Sequence, residues 1–127
     1  NDDELRLKYN DLKVDYLKNF KFNLCPENSD SRGYVTEKIF DSFSAGCIPI
    51  YWGSGNNPEP GLLNQEAILF LKLNGNNEIT LNDIREISRN STLYKEFINQ
   101  ERLTKDAPDI IYQYFSGLEK KLKQVIN

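Results

Sequence analysis

The hydrophobic positions of this chain change period along its length, and each change marks an expected element. Phe22-Asn23-Leu24-Cys25 is a short strand-like run closed by Pro26, which has no amide for a ladder, so a strand is expected over 22–25. The polar residues 28–33 read as a turn. Val35, Ile39 and Phe43 then recur four apart, with Phe40 widening the stripe. This predicts a helix with Thr36 as N-cap and Gly46 as the left-handed residue that closes it. Residues 47–52 follow as a strand apolar enough for burial on both faces of a parallel sheet, with Pro49 an irregularity in it. Strand, helix and strand predict a right-handed crossover.

Residues 3–19 predict an amphipathic helix carrying Leu5, Tyr9, Leu12 and Tyr16 on one face, and two seven-residue units within it are self-similar. After the second strand, residues 53–61 form a loop whose glycines allow close backbone approach to a ligand. The loop lacks the Gly-Lys-Ser/Thr ending of a phosphate-cradling loop. Trp52, just before it, reads as a core aromatic, with stacking on a base or sugar as the alternative. A third strand is expected over 67–71 and a turn over 73–78. Thr80 or Asn82 caps a helix buried through Leu81, Ile84 and Ile87, and Tyr94, Phe97 and Ile98 mark another that runs to Leu103. Pro108 opens a last helix with Ile111, Phe115, Leu118, Leu122 and Val125 at helical spacing. Helices alternating with short apolar strands make an α/β layer fold.

Composition narrows the chemistry. At 127 residues the chain is one domain, with a core that buries about two thirds of its surface. A formal charge of −3 and the lack of a basic stripe argue against a nucleic-acid partner. Cys25 and Cys47 lie in or beside expected core strands, so buried thiols are expected in preference to a disulfide. No apolar run approaches the roughly 18 residues of a membrane span and no signal peptide is evident. The expected place is the cytoplasm, with peripheral membrane attachment of a bacterial parent left open. There is no histidine, so any general acid or base is a carboxylate, lysine or tyrosine. No metal-ligand grouping and no Asp-x-Asp triplet occur in the sequence, so no metal requirement is expected.

The candidate chemistry lies where the first strand hands over to the first full helix. A helix that starts there points its unbonded amides and the positive end of its dipole into the crevice at the sheet's carboxyl edge, which is an anion site. Lys38, in the first turn, repeats the sign of the dipole, a placement that makes sense beside an anion such as phosphate. Glu37 next to it is able to accept hydrogen bonds from ribose hydroxyls. The plainer alternative is that Glu37 only favours the helix N-terminus and that Lys38 is solvated surface.

Cys25-Pro26-Glu27-Asn28-Ser29, then Tyr34-Val35-Thr36-Glu37-Lys38, then Ala45-Gly46-Cys47-Ile48-Pro49-Ile50-Tyr51-Trp52-Gly53 resemble the donor-binding signature of the family 10 glycosyltransferases, the α1,3/4-fucosyltransferases, with the bacterial members most alike. Pro26 stands where most members place Phe, and Gly33 where some carry Asp. The resemblance implies a Rossmann-like, three-layer α/β domain with a short parallel sheet, like the C-terminal half of a GT-B glycosyltransferase. It implies transfer of L-fucose from GDP-fucose to a glycan acceptor with inversion. In that reading Glu37 binds the guanosine ribose, Lys38 neutralises the diphosphate, Asn28 and Tyr34 contact the diphosphate or fucose, and the amides near Val35 and Thr36 complete the anion site. The heptad-like units also look like tails of some bacterial members. Family members carry the acceptor domain, the base and an arginine for the diphosphate upstream, so the chain is expected to be a donor-binding fragment inactive by itself. Glu27 is expected to orient the loop and not to act as base. A nucleotide-sugar-binding module without transferase activity is the alternative, and a purely structural or interaction domain a second.

Overall fold

Three parallel strands, β1 (Phe22–Pro26), β2 (Ile48–Trp52) and β3 (Leu69–Phe70), lie side by side in that order in the computed structural model, which describes residues 12–126. Phe22 pairs with Ile48 and Pro26 with Trp52, while Ile50 pairs with Leu69. Pro26 thus extends β1 one residue beyond the expected end. It can do so because β1 is an edge strand among the described residues, and the Glu27 amide behind it still bonds the Trp52 carbonyl at 2.9 Å. Pro49, fully buried in the central strand, is accommodated by register. The Ile48 amide bonds Lys21 on the β1 side, so the next position faces β3, whose pairing starts only at Ile50 and Leu69. A proline there removes no ladder bond.

Helices α1 (Lys13–Leu17), α2 (Glu37–Ala45), α3 (Glu78–Arg89), α4 (Ser91–Ile98) and α5 (Ala107–Ile126) complete the described chain. The first seven-residue unit and most of the predicted first helix lie outside the described residues. Alternation along the strands separates two faces. Cys25 and Tyr51 face α2 and join Ile39, Leu63 and Ile68, with Val35, Phe43 and Phe70 packed around them. Phe22, Ile48, Ile50 and Leu69 face α3 and α4, against Ile84, Ile87, Tyr94, Phe97 and Ile98. Helix, sheet and helix make the expected three-layer α/β architecture.

The two helices on the second face depart from their expected bounds. Asn77, not Thr80 or Asn82, is the N-cap of α3, and the Thr80 hydroxyl instead bonds the Phe70 carbonyl at 2.7 Å. Helix α4 stops at Ile98 because the following chain is recruited elsewhere: Leu103 bridges Leu63, and Asn64 donates to the Glu101 carbonyl. Arg102 reaches back over the Phe43 ring and donates to the Phe43 carbonyl at 2.6 Å, placing positive charge at the C-terminal end of α2. Among the described residues no helix is long and apolar enough to cross a membrane.

Candidate functional site

The start of α2 is where the sequence analysis placed it. Thr36 is the N-cap, and Gly46, at φ 82°, closes the helix in the left-handed conformation. The side chain that secures this start is Glu27, which is only 3% exposed. Its Oε1 accepts the Thr36 amide at 3.1 Å and its Oε2 accepts the Thr36 hydroxyl at 2.7 Å. The Thr36 hydroxyl therefore caps no first-turn amide, and the Glu27 carboxylate, just past the end of β1, instead accepts the amide of the N-cap residue itself, as the acidic residue of a capping box does. Charge-assisted bonds of this kind are short and strong, and negative charge near a helix N-terminus is favoured.

Around that carboxylate two loops close on each other. Gly53, Ser54, Gly55 and Asn56 have φ of 133°, 50°, 62° and 53°, a run of positive values directly after β2. The Gly55 amide bonds Asp30 Oδ1 at 2.7 Å, and the Gly33 amide bonds the hydroxyl of buried Ser54 at 3.1 Å. Asn56 donates to the Leu71 carbonyl at 2.9 Å, tying the loop to the end of β3. A Cβ at Gly53 would lie 2.7 Å from Glu27 Cγ. Only glycine combines that contact with a φ of 133°.

Of the predicted site residues, the structure brings Asn28 and Lys38 together, with Lys38 Nζ donating to Asn28 Oδ1 at 3.5 Å. Lys38 is half-buried, not fully solvated, and Glu37 beside it is exposed. The Tyr34 side chain is exposed, while its amide bonds the Ser31 carbonyl and shapes the turn. Val35 turns its side chain into the core beneath α2. The Thr36 amide and hydroxyl both turn inward to Glu27, while the amides of the first turn of α2 have no intrahelical partner.

The carboxyl edge of the sheet is a crevice. Pro26, Trp52 and Leu71, at the ends of the three strands, line a mainly apolar cavity of about 300 Å³ with Lys72 at its rim. A second cavity, of about 440 Å³, lies between the two loops and is lined by Arg32, Gly33, Ser54 and Gly55 among others. Trp52 is half-buried at this edge and not sunk in the core. Sequence reasoning did not single out Ser54, Asp30 or Arg32, because each acts across the gap between loops and has no local signature.

The buried hydroxyl and thiols nearby are held neutral. Burial, and then the Glu27 charge, pushes the Tyr51 hydroxyl well above its ordinary pKa. Burial likewise raises the Cys25 and Cys47 thiols, which suits packing and not nucleophilic attack. Both cysteines are free, as expected. The described residues contain no grouping of three or more metal-ligating side chains.

Residues 4–111 match the family model for the C-terminal region of glycosyltransferase family 10 (fucosyltransferase). Over 42 residues the chain is 57% identical to the α-(1,3)-fucosyltransferase FucT of Helicobacter pylori, a stretch covering 33% of this chain and 9% of that protein. It is 34% identical over 92 residues to a putative fucosyltransferase of Acanthamoeba polyphaga mimivirus, covering 72% of this chain and 15% of that one. An α1,3-fucosyltransferase solved as a crystal structure with GDP-fucose superposes with a TM-score of 0.63 at 32% identity, covering 72% of this chain and 27% of the other. The matched segments thus span a small part of these relatives. The chain belongs to glycosyltransferase family 10, the fucosyltransferases, and has the α/β fold of their C-terminal region.

Proposed function

We propose that this chain is the donor-binding part of a fucosyltransferase that moves L-fucose from GDP-fucose to a hydroxyl of an acceptor glycan with inversion. The observation that carries the reading is the pairing of Asn28 and Lys38 at the first turn of α2, beside the crevice at the sheet's carboxyl edge. Support comes also from the similarity to a fucosyltransferase solved with GDP-fucose. Lys38 and the first-turn amides face the diphosphate, Glu37 takes the ribose hydroxyls, and Asn28 and Tyr34 contact the diphosphate or the sugar. Val35 and Thr36 set the backbone on which those groups stand.

When the bond to fucose breaks, negative charge builds on the departing diphosphate. A lysine ammonium and helix amides already aimed there stabilise it without reorganisation, so transfer needs no metal. The base that accepts the acceptor's proton comes from outside the described residues. Glu27 is unsuited, since it is buried and both carboxylate oxygens are engaged by Thr36. The chain therefore holds the donor and does not turn it over.

Calorimetric titration of the 127-residue chain with GDP, GDP-fucose and ADP tests this. Binding of GDP but not ADP is expected, weakened about tenfold or more by Lys38→Ala and also by Glu37→Ala. Equal affinity for GDP and ADP, or none for either, would sink the reading, and fucose transfer by the purified chain would overturn the division of labour. Unchanged GDP binding in the presence of a strong chelator is expected.

A further inference from the structure

We propose that Glu27 is the positioning residue of the donor site: its buried carboxylate, anchored to the sheet through its own amide, fixes the start of α2 and thereby the Asn28–Lys38 pair. The proposal rests on reading that pair as the contact for a nucleoside diphosphate.

Among the described residues the buried polar side chains are Glu27, Ser42 and Ser54, so Glu27 is the one that carries a formal charge. A buried carboxylate is costly, and apolar groups of similar volume often serve stability as well. Its placement explains what it does. The Glu27 amide bonds the Trp52 carbonyl at 2.9 Å, which fixes the residue to the end of the central strand. Its side chain holds the amide and hydroxyl of Thr36, nine positions along the chain, at 3.1 and 2.7 Å. Asn28 directly follows one end of this clamp, and Lys38 lies two residues beyond the other. The 3.5 Å contact between them closes a ring through the clamp. Any shift of Thr36 relative to Glu27 therefore passes directly to Lys38 relative to Asn28.

The clamp has its own backing. A Cβ at Gly53 would lie 2.7 Å from Glu27 Cγ and 2.8 Å from Glu27 Cβ, so the stem of Glu27 fills the place that any larger residue at 53 would need. The buried Tyr51 hydroxyl is 3.4 Å from the same point. The carboxylate also occupies the Thr36 amide, which a bound anion would otherwise share. The ligand is thereby directed onto the later amides of the first turn and onto Lys38. Precision in such sites comes from side chains locked behind the contacting ones.

The test compares GDP titrations of wild type, Glu27→Gln, Thr36→Val, Thr36→Ser and Lys38→Ala at a temperature where circular dichroism shows each fully folded. Glutamine has one oxygen to offer the two Thr36 donors, so Glu27→Gln is expected to raise the GDP dissociation constant about tenfold. Thr36→Val is expected to weaken binding, and Thr36→Ser, which restores the hydroxyl, to recover it. A purely structural role would not produce that rescue in folded proteins. GDP affinity unchanged in folded Glu27→Gln, while Lys38→Ala binds poorly, would overturn the positioning role and leave the functional reading standing. Should Glu27→Gln not fold, the Thr36 pair decides. If the wild type fails to bind GDP, the functional reading falls, and amide hydrogen exchange without ligand decides the clamp. Slow exchange at Thr36 in wild type and faster exchange in Thr36→Val across the first turn of α2 is expected; equal exchange overturns it.

Discussion

Helices α2 and α5 both carry clear apolar stripes in the sequence, yet one is sunk into the protein and the other stands largely clear of it. In α2, Ile39 and Ser42 are fully buried, and Arg102 covers the C-terminal carbonyls. Helix α5 buries Ala107 and little else: Phe115 is 61% exposed and Val125 is 83% exposed. Among the described residues its stripe meets the rest of the chain toward its N-terminal half, beside a cavity of about 480 Å³ lined by Val35, Phe40, Leu62, Ile111 and Phe115. Periodicity states that a helix has a face to cover; it does not state what covers it. For α2 the sheet does so.

The sharpest way to break this comparison is to remove volume beneath α2. Ile39→Ala is expected to cost about 2–5 kcal/mol of unfolding free energy, measured by urea titration, because Ile39 is fully enclosed. A loss below that range would mean that α2 is loosely packed. Gly53→Ala comes next: the added methyl meets Glu27 at 2.7 Å in a left-handed backbone, for an expected loss of about 1–3 kcal/mol. A thermal midpoint equal to wild type would show that the Glu27 stem is not confined.

Protons give a smaller effect in the same region. The Cys25, Cys47 and Tyr51 pKa values are raised by burial, so the folded state keeps protons that the unfolded chain releases. The stability they contribute is complete below the thiol reference of 9.0 and declines as pH rises above it, with Tyr51 adding to the decline above its reference of 10.0. Denaturant midpoints at pH 7.5 and pH 10 measure this, and a midpoint that rises between them contradicts the burial of these groups. The smallest change is expected on α5. Leu118→Ser should stay within about 0.5 kcal/mol of wild type, since its side chain is 42% exposed. A loss approaching that of Ile39→Ala would show α5 covered in solution.

How much was legible follows the range of each signal. The Thr36 start, the Gly46 stop and the order of strands and helices were readable because caps, left-handed glycines and apolar periods act within a few residues. Glu37 and Lys38 were readable as first-turn residues because a loop-to-helix start has a local signature. The end of α4 was misjudged because Leu103 answers to Leu63, far back in the chain, and not to its own helix.

The sequence by itself determined the layer fold, the family signature and the start of α2 at Thr36. Only the tertiary structure decided that the Glu27 carboxylate holds Thr36 at that end, that Gly53 makes room for the stem of Glu27, and that the stripe of α5 is left open among the described residues. Each of these depends on groups brought together from distant positions, where burial and hydrogen-bond geometry choose among pairings that a linear pattern leaves equal.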